Sequence, residues 1–242
     1  MKFKISSGLK NIIGKDLIVN DFVAIFELVK NSFDAYADRV ELFFGNNCIY
    51  IIDNGKGMSK DDLINKWLFV AYSAKSDNTE DIALAQDYRT NLRATRKSYA
   101  GNKGVGRFSC DRLGLELNIQ SKSLSDDVIN NVYIDWRDFE ADQNNQFQDV
   151  KVNFKTTSKF SLPSELSDLS LKTGTVLKIS NIREENSWDR NKLKKLKSSI
   201  AKLIDPFGVK KDFDIYLHAP DELEKDKDEY TKLKEKFKKM SY

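Results

Sequence analysis

Glu27, Asn31 and Asp34 follow one another at intervals of four and three residues, in a stretch whose apolar residues recur at helical spacing. At about 100° per residue, their side chains lie within about 60° of one another on one helix face. A carboxylate there could activate a water molecule, and an amide oxygen one turn further could bind a hard cation such as Mg²⁺. The simpler interpretation is a solvated helix face, and only a second site can decide between the two.

A second candidate site is the segment Asp53-Asn-Gly-Lys-Gly57-Met58, which follows a predicted strand. A carboxylate at a strand end can accept a hydrogen bond from an exocyclic amine, and the glycines allow a flat ligand to approach the backbone. The sequence Asp-Asn-Gly is also a common turn. Its function therefore depends on the residues that follow.

Three glycines lie close together in the segment Gly101-Asn-Lys-Gly104-Val-Gly106-Arg-Phe. Successive N–H groups of such a segment can point at one anion, and the stretch 105–113 can continue as a helix whose N-terminus favours phosphate. Residues 89–107 include six basic and no acidic residues, which suits a mobile region near an anion. Neither the spacing Gly-x-Gly-x-x-Gly nor a Walker-type loop occurs, so Rossmann and Walker nucleotide sites are disfavoured.

A helix and a sheet are needed to position these segments. A helix is predicted over residues 20–35, capped by Asn20 or Asp21, and its apolar stripe consists of Phe22, Ile25, Phe26, Val29 and Phe33. A hairpin is predicted at 40–44 and 48–52, a short helix from Ser59 through Trp67, and further strands at 115–121, 132–136, 150–155, 174–181 and 212–218. A basic amphipathic helix is predicted at 188–204. This pattern indicates a largely antiparallel sheet with helices.

The composition excludes several classes of protein. Among 242 residues, 40 Lys and Arg against 37 Asp and Glu give a net charge of +3, too balanced to identify a nucleic-acid-binding protein. Two cysteines are too few for a disulfide framework and are expected to be free buried thiols. The single histidine, His218, excludes a histidine-rich metal centre. No stretch is apolar enough for a membrane span or a signal peptide, so we expect a cytoplasmic chain with no membrane partner.

The length suggests one large α+β domain over residues 1–219. Residues 220–242 are highly charged and are expected to form a helical tail or to begin a following domain. A chain that stops in a charged helix, with no compact closing element, suggests the N-terminal part of a longer protein.

Four segments resemble, in order and approximate spacing, the four motifs of the GHKL ATPases, the superfamily of gyrase, the ninety-kilodalton heat-shock chaperones, histidine kinases and MutL. They are Glu27-Leu-Val-Lys-Asn31-Ser-Phe-Asp34-Ala, Asp53-Asn-Gly-Lys-Gly57-Met58, Gly101-Asn-Lys-Gly-Val-Gly-Arg-Phe108 and Lys172-Thr-Gly-Thr175. The resemblance spans residues 21–179. It implies the Bergerat fold, a two-layer α/β sandwich with a mixed, mostly antiparallel sheet covered on one face by helices, and an ATP lid over about residues 73–107.

The resemblance also implies that ATP and Mg²⁺ are bound. Glu27 would orient or deprotonate the attacking water, and Asn31 would be the protein ligand of Mg²⁺. Asp53 would accept from the adenine amino group, and Thr175 would support it through a water. The other implied nucleotide-binding residues are Asp34 in the first motif, Gly57 and Met58 at the base, Asn102, Lys103, Gly104, Val105, Gly106 and Arg107 at the phosphates, and Asn65 and Lys75 in a chaperone-like stretch.

Arg107 stands where the chaperones carry an aromatic residue. Its side chain is expected either near phosphate or, by preference, at the surface. The histidine-kinase branch is disfavoured, because only about twenty residues precede the first motif and His218 lies after the last one. Glu27 instead stands where the water-activating branch has its base. The motif sequences look like bacterial stand-alone ATP-binding proteins and, more loosely, the chaperone, MutL and MORC-type branch.

The implied function is Mg²⁺-dependent ATP hydrolysis that drives lid closure and a conformational or dimerisation change in a larger protein. A following domain usually supplies a further cation in this superfamily, so hydrolysis by these residues alone is expected to be slow. One alternative is a switch without catalysis, in which ATP creates a dimer or partner surface. Another is a nucleic-acid module on the basic region 189–211, which lacks the interleaved aromatic residues that base stacking requires.

Overall fold

Seven strands form one sheet within the residues that the computed structural model describes, namely 5–11, 18–69, 92, 106–141, 146–183, 188–204 and 213–225. The strands are β1 (Arg39–Gly45), β2 (Cys48–Asp53), β3 (Gly114–Lys122), β4 (Ile129–Asp135), β5 (Asn153–Thr157), β6 (Gly174–Ile182) and β7 (Asp214–His218). Their order across the sheet is β5-β4-β3-β6-β2-β1-β7. Neighbouring strands are antiparallel except β1 and β7, which are parallel. The predicted mixed, mostly antiparallel sheet is therefore confirmed.

The two faces of the sheet bury different residues, because side chains alternate along a strand. The face toward the helices buries Val40, Leu42, Phe44, Ile49, Ile51, Leu117, Ile119 and Ile179. On the opposite face a smaller cluster contains Phe43, Tyr50, Ile52 and Val176, packed against Phe160, Leu162, Leu166, Leu169 and Leu171. Helices cover one face as predicted, and residues 160–171 cover part of the other face, which the sequence did not predict.

Helix α2 (Asp21–Asp34) carries the predicted site residues Glu27, Asn31 and Asp34. It begins where the Asn20 side chain accepts the N–H of Val23 at 3.0 Å, so Asn20 is the cap of the two residues predicted. Its buried apolar residues are Ala24, Ile25, Leu28, Val29 and Phe33. Phe22 and Phe26, which were predicted on this stripe, are only half-buried. The packed face of the helix is therefore rotated slightly from the predicted one.

Two short helices flank the predicted lid. Helix α3 (Lys60–Asp62) begins with a capping box between Ser59 and Asp62 and continues as a π-helical turn over Leu63–Trp67. On the far side, a 3₁₀ turn at Gly106–Phe108 leads into helix α4 (Ser109–Leu113). Of residues 70–105, only Leu92 lies within the described part of the chain.

A buried ion network joins three distant segments. Lys10 lies in the short helix α1 (Leu9–Asn11) and is fully buried. Its Nζ lies 3.0 Å from Asp111 Oδ1 and 2.5 Å from Glu140 Oε1. Arg183 contacts the same Asp111 oxygen at 2.8 Å. The N-terminal segment is thus tied to α4 and to the end of β6.

Helix α5 (Arg190–Ile204) is amphipathic, as predicted. Leu193, Leu196 and Ile200 are buried in the main core, whereas Lys194, Lys195 and Lys197 are exposed. This pattern is that of a helix with a solvated basic face. Residues 220–225 are helical, and the rest of the predicted charged tail lies outside the described residues.

Candidate functional site

Asp53 is the last residue of β2, and its side chain points to the helix side of the sheet. It is 6% exposed. Its carboxylate accepts hydrogen bonds from the backbone N–H of Gly55 at 2.9 Å and from Ser32 Oγ at 3.1 Å. The carboxylate is therefore held both by the turn that follows it and by α2.

Two glycines allow the backbone to pack closely around Asp53. Gly57 has φ +68°, and a Cβ there would lie 2.0 Å from the carbonyl oxygen of Lys122. Gly174 has φ +138°, and a Cβ there would lie 2.0 Å from the carbonyl oxygen of Asp53. Both positions require glycine because both the conformation and the space exclude a side chain. Gly57 and Gly174 thus allow the ends of β2 and β3 and the start of β6 to pack together.

Three polar side chains form a row across neighbouring strands at this end of the sheet. Asp53 pairs with Thr175 in the register of β2 and β6, and Thr175 pairs with Ser121 in that of β6 and β3. Because paired residues share a face, all three point to the helix side. Thr175 Oγ1 and Ser121 Oγ lie 2.8 Å apart, and Met58 donates its N–H to Ser121 at 2.8 Å. Thr175 therefore lies beside Asp53 in the sheet.

Ser121 is the residue of this row that sequence reasoning missed. Its neighbours on the same face of β3, Leu117 and Ile119, are fully buried apolar residues. A hydroxyl at the next position of that alternation is the signal that could have identified it.

Glu27 and Asn31 border the last glycine of the third motif. A Cβ built on Gly106 would lie 3.5 Å from Glu27 Oε2 and 3.6 Å from Asn31 Nδ2. Glu27 is partly exposed, and its Oε1 accepts a hydrogen bond from Lys30 Nζ at 2.7 Å. Asn31 is exposed. The Glu27–Asn31 edge of α2 and Gly106 are thus close in space. Asn31 and Gly106 are 75 residues apart in the sequence.

The two parts of the site are joined through one helix. Ser32, which holds Asp53, directly follows Asn31, which borders Gly106. Asp34 differs from Glu27 and Asn31, because it is buried at 4% exposure. The predicted polar face therefore contains two accessible groups and one enclosed carboxylate.

The Arg107 side chain is partly buried against the π-helical turn at Leu63–Trp67. Its guanidinium donates to the carbonyl oxygens of Lys66 at 2.7 Å and Phe69 at 3.0 Å, and also to that of Trp67. Burial lowers the pKa of Arg107 to about 10, which leaves it charged at neutral pH. The cationic side chain thus donates to carbonyl oxygens at the C-terminal end of the π-helical turn, where a positive charge is favoured.

The other predicted binding residues fall into two groups. Met58 is half-buried against the main core, and Asn65 is exposed on the π-helical turn. Lys75, Asn102, Lys103, Gly104 and Val105 lie outside the described residues, as does nearly all of the predicted lid.

The described ranges contain no group of three or more His, Cys, Asp or Glu side chains arranged to hold a metal ion. None of the helices in these ranges combines the length and the apolar character that crossing a membrane requires.

The single histidine, His218, lies on β7 with its Nε2 2.6 Å from Glu41. Both cysteines are free, and Cys110 is buried, whereas Cys48 is only partly so.

Comparisons with known proteins were made for the whole chain. The family model described as "Histidine kinase-, DNA gyrase B-, and HSP90-like ATPase" matches residues 19–162, more than half of the sequence. The matched range contains Glu27, Asn31, Asp53 and Gly106, and it ends before Thr175. The search of curated proteins found no match.

Proposed function

The chain belongs to the family of histidine kinase-, DNA gyrase B- and HSP90-like ATPases, and from this premise we propose that it binds ATP with Mg²⁺ and hydrolyses the terminal phosphate. The observation that carries the proposal is the connection made by α2. This helix holds Asp53 through Ser32 and presents Glu27 and Asn31 to Gly106. The carboxylate that we assign to the base, Asp53, and the helix edge that we assign to the phosphates, Glu27 and Asn31, are thus both held by α2.

At the base end, we assign Asp53 to the exocyclic amine of adenine. A carboxylate only accepts hydrogen bonds, so it matches the N–H groups of an amine and opposes a carbonyl oxygen. Thr175 lies beside it in the same row, and Gly57 and Met58 are assigned to the wall of the base pocket. The donors from Gly55 and Ser32 fix the orientation of the carboxylate before any ligand arrives.

At the phosphate end, we assign Glu27 to the attacking water and the Asn31 amide oxygen to Mg²⁺. Magnesium suits this donor set, because it usually takes one or two protein ligands and completes its shell with water and substrate phosphates. When bound, it would neutralise charge on the phosphates. Gly106 and the backbone before it, with Asn102, Lys103, Gly104 and Val105, are assigned to the β- and γ-phosphates, and Lys75 to the same phosphates.

The branch of the family, the location, the domain bounds and the partners are further parts of this proposal. We propose that the chain belongs to the chaperone, MutL and MORC-like branch, near bacterial stand-alone ATP-binding proteins, and acts in the cytoplasm. Residues 1–219 would form the ATP-binding domain, with a lid over about 73–107. A following domain would supply a further cation, so hydrolysis by this chain alone would be slow. Lid closure would drive a conformational change or an ATP-dependent homodimer.

A thermal-shift experiment tests the proposal. ATP at about 100 times its Kd adds about 2.7 kcal/mol of stability, which for a chain of this size raises Tm by about 5–10 °C. We expect this shift with ATP and, to a similar degree, ADP, a smaller shift with GTP, and a dependence on Mg²⁺ for ATP. In Asp53→Asn, which keeps the side-chain shape but adds an N–H₂ group, the preference for adenine should disappear.

The matched control is Asp138→Asn, which removes a carboxylate from an exposed position. It should leave the shifts with all three nucleotides unchanged. An unchanged chain whose Tm is indifferent to ATP, ADP and GTP would contradict the proposed function.

A further inference from the structure

We propose that Lys30 is a positioning residue for Glu27, because its ammonium holds one oxygen of the Glu27 carboxylate and leaves the other oxygen to position the attacking water. This role rests on the proposed hydrolysis of ATP, in which Glu27 is assigned to water. Lys30 lies between Glu27 and Asn31 in the first motif, where the resemblance assigns it no function.

The ion pair between Lys30 and Glu27 is partly removed from solvent. Lys30 Nζ lies 2.7 Å from Glu27 Oε1, and the two side chains are only 14% and 27% exposed. Fully exposed pairs of this kind contribute little, because water screens both charges and both side chains move freely. The limited exposure here reduces both effects, so the pair can fix the orientation of the carboxylate.

A second contact holds the lysine itself. The Lys30 ammonium lies 5.5 Å from the centre of the Phe26 ring, within the range of a cation–π interaction. Phe26 and Glu27 precede Lys30 by four and three residues on α2, the spacings at which helical side chains meet. Both contacts are made within α2, so the helix itself positions the ammonium.

The two oxygens of the Glu27 carboxylate face different neighbours. Oε1 is bound to Lys30, whereas Oε2 lies 3.5 Å from the position of a Cβ built on Gly106. At about 100° per residue, Lys30 and Asn31 project on opposite sides of Glu27, about 60° and 40° from it. The ammonium thus lies on the side of Glu27 away from the amide that we assign to Mg²⁺. Without the ammonium, the carboxylate could rotate, and Oε2 would face the region of the phosphates for less of the time.

Lys30→Met tests this role, because it removes the ammonium but keeps a side chain of similar length. We expect kcat for phosphate release at saturating Mg²⁺-ATP to fall by about 5- to 50-fold, less than loss of the whole carboxylate would cost. The Kd for Mg²⁺-ATP, measured by isothermal titration calorimetry, should change by no more than about threefold, since one nearby charge acts through screening solvent. Lys30→Arg should restore most of kcat, because a guanidinium can also bind a carboxylate oxygen and stack on Phe26.

A double variant shows whether Lys30 acts through Glu27. In a Glu27→Ala background, Lys30→Met should leave the residual kcat unchanged, because no carboxylate remains to be oriented. Lys30→Ala, which suits a helix, gives a second reading should the methionine variant fail to fold.

The matched control is Lys225→Met. Lys225 Nζ lies 2.5 Å from Glu222 Oε1, in a pair of the same residue types at the same spacing of three residues. Loss of this pair should change neither kcat nor the Kd for Mg²⁺-ATP. Thermal unfolding of every variant verifies that it is folded.

Two results would refute the positioning role while the proposed function stands. If Lys30→Met raises the Kd for Mg²⁺-ATP by about tenfold or more, the effect of losing a charged hydrogen bond, or lowers kcat equally in the Glu27→Ala background, Lys30 contacts the nucleotide directly. If it changes neither kcat nor Kd, the ion pair does not orient Glu27. If the unchanged chain itself releases no phosphate from ATP, the proposed hydrolysis is refuted, and the role of Lys30 with it.

Discussion

Glu27 and Asn31 are the side chains that border Gly106, and they differ in how they are held. Glu27 Oε1 accepts a hydrogen bond from Lys30 Nζ at 2.7 Å, which leaves Oε2 on the side of Gly106. One carboxylate oxygen is therefore oriented by the helix itself, and the other faces the region assigned to the terminal phosphate. A group that positions water needs this combination of a fixed orientation and an accessible oxygen.

This arrangement predicts that Glu27→Ala separates binding from chemistry. Loss of the carboxylate should leave the Kd for Mg²⁺-ATP within about threefold, because Glu27 is assigned to water and not to the nucleotide. Phosphate release should fall by about 10²- to 10⁴-fold, the usual contribution of a general base. Calorimetric titration and a coupled phosphate assay on the same preparation measure both quantities.

Glu165→Ala is the matched control, because Glu165 is exposed in the segment that covers the opposite face of the sheet. It should change neither quantity. If Glu27→Ala released phosphate at the rate of the unchanged chain, the catalytic role would be wrong, and a nucleotide-responsive switch without catalysis would become the better account.

Sequence patterns identified the charged and glycine residues of the site but not the hydrogen bonds among them. Asp53 was predicted as a candidate site residue from its position at a strand end before two glycines, although the same residues are also typical of a turn. Ser121 was not predicted as a neighbour of the candidate site, because its place beside Thr175 arises from the register of β3 with β6, and Thr175 is 54 positions away. Local sequence cannot supply such long-range pairing.

At the scale of elements, Arg107 joins the described end of the third motif, at Gly106–Phe108, to the π-helical turn that follows α3 and to Phe69. Residues 66–69 end the described segment before the predicted lid, and Gly106 begins the segment after it. The Arg107 guanidinium joins these two points through the carbonyl oxygens of Lys66, Trp67 and Phe69. Since Gly106 directly precedes Arg107, the same contact helps to hold Gly106 beside Glu27 and Asn31.

Arg107→Lys should therefore weaken nucleotide binding although it preserves the charge. A lysine ammonium lacks the planar fork with which arginine reaches several acceptors at once, so these partly buried carbonyl oxygens would lose hydrogen bonds to a charged donor at a cost of about 1–3 kcal/mol. We expect a Tm lower by about 2–10 °C and a rise in the Kd for ATP. Thermal unfolding and calorimetric titration measure the two effects.

The control for this variant is Arg137→Lys. Arg137 is an exposed residue whose guanidinium contacts Asp135 and Glu116 on the side of the sheet away from α2. It should leave ATP affinity unchanged. An Arg107→Lys variant with the original Kd would show that the contact supports the turn alone and does not position Gly106.

The long helices and the central strands were predictable from periodicity, and β4 and β5, at one side of the sheet, were less so. β4 begins at Ile129 instead of the predicted residue 132, because Asn130 and Asn131 interrupt the apolar pattern. Both are buried and hydrogen-bonded, to Asp126 at 3.0 Å and Asn118 at 2.9 Å. β5 is the exposed edge at residues 153–157, where little burial constrains the sequence. Side-chain hydrogen bonds can thus extend a strand where apolar periodicity ends.

At the scale of the whole molecule, the site and the core are parts of one packed unit. Helix α4 begins directly after the turn that contains Gly106, and it contributes Cys110 and Leu113 to the main core. The same helix supplies Asp111, which pairs with Lys10 from the N-terminal segment and with Arg183. These pairings join residues about 70 to 100 positions apart, so no sequence pattern could have predicted them. We therefore expect the opening of α4 to disturb the proposed nucleotide site.

The two cysteines provide a measurement of this coupling. Cys110 is fully buried, and burial together with the neighbouring Asp111 raises the pKa of its thiol. A thiol reagent requires an accessible thiolate, so Cys110 should react only when α4 opens. If that opening destroys the nucleotide site, Mg²⁺-ATP at about 100 times its Kd should slow the labelling by about 100-fold.

Cys48 serves as the control within the same sample, because it is half-buried at the start of β2, in the hairpin with β1, and away from α4. Peptide mass spectrometry after timed labelling gives both rates at once. Cys48 should react faster than Cys110, and its rate should depend little on ATP. If ATP binds but leaves the Cys110 rate unchanged, α4 opens independently of the site, and the glycine segment and the core would have to be regarded as separate cooperative units.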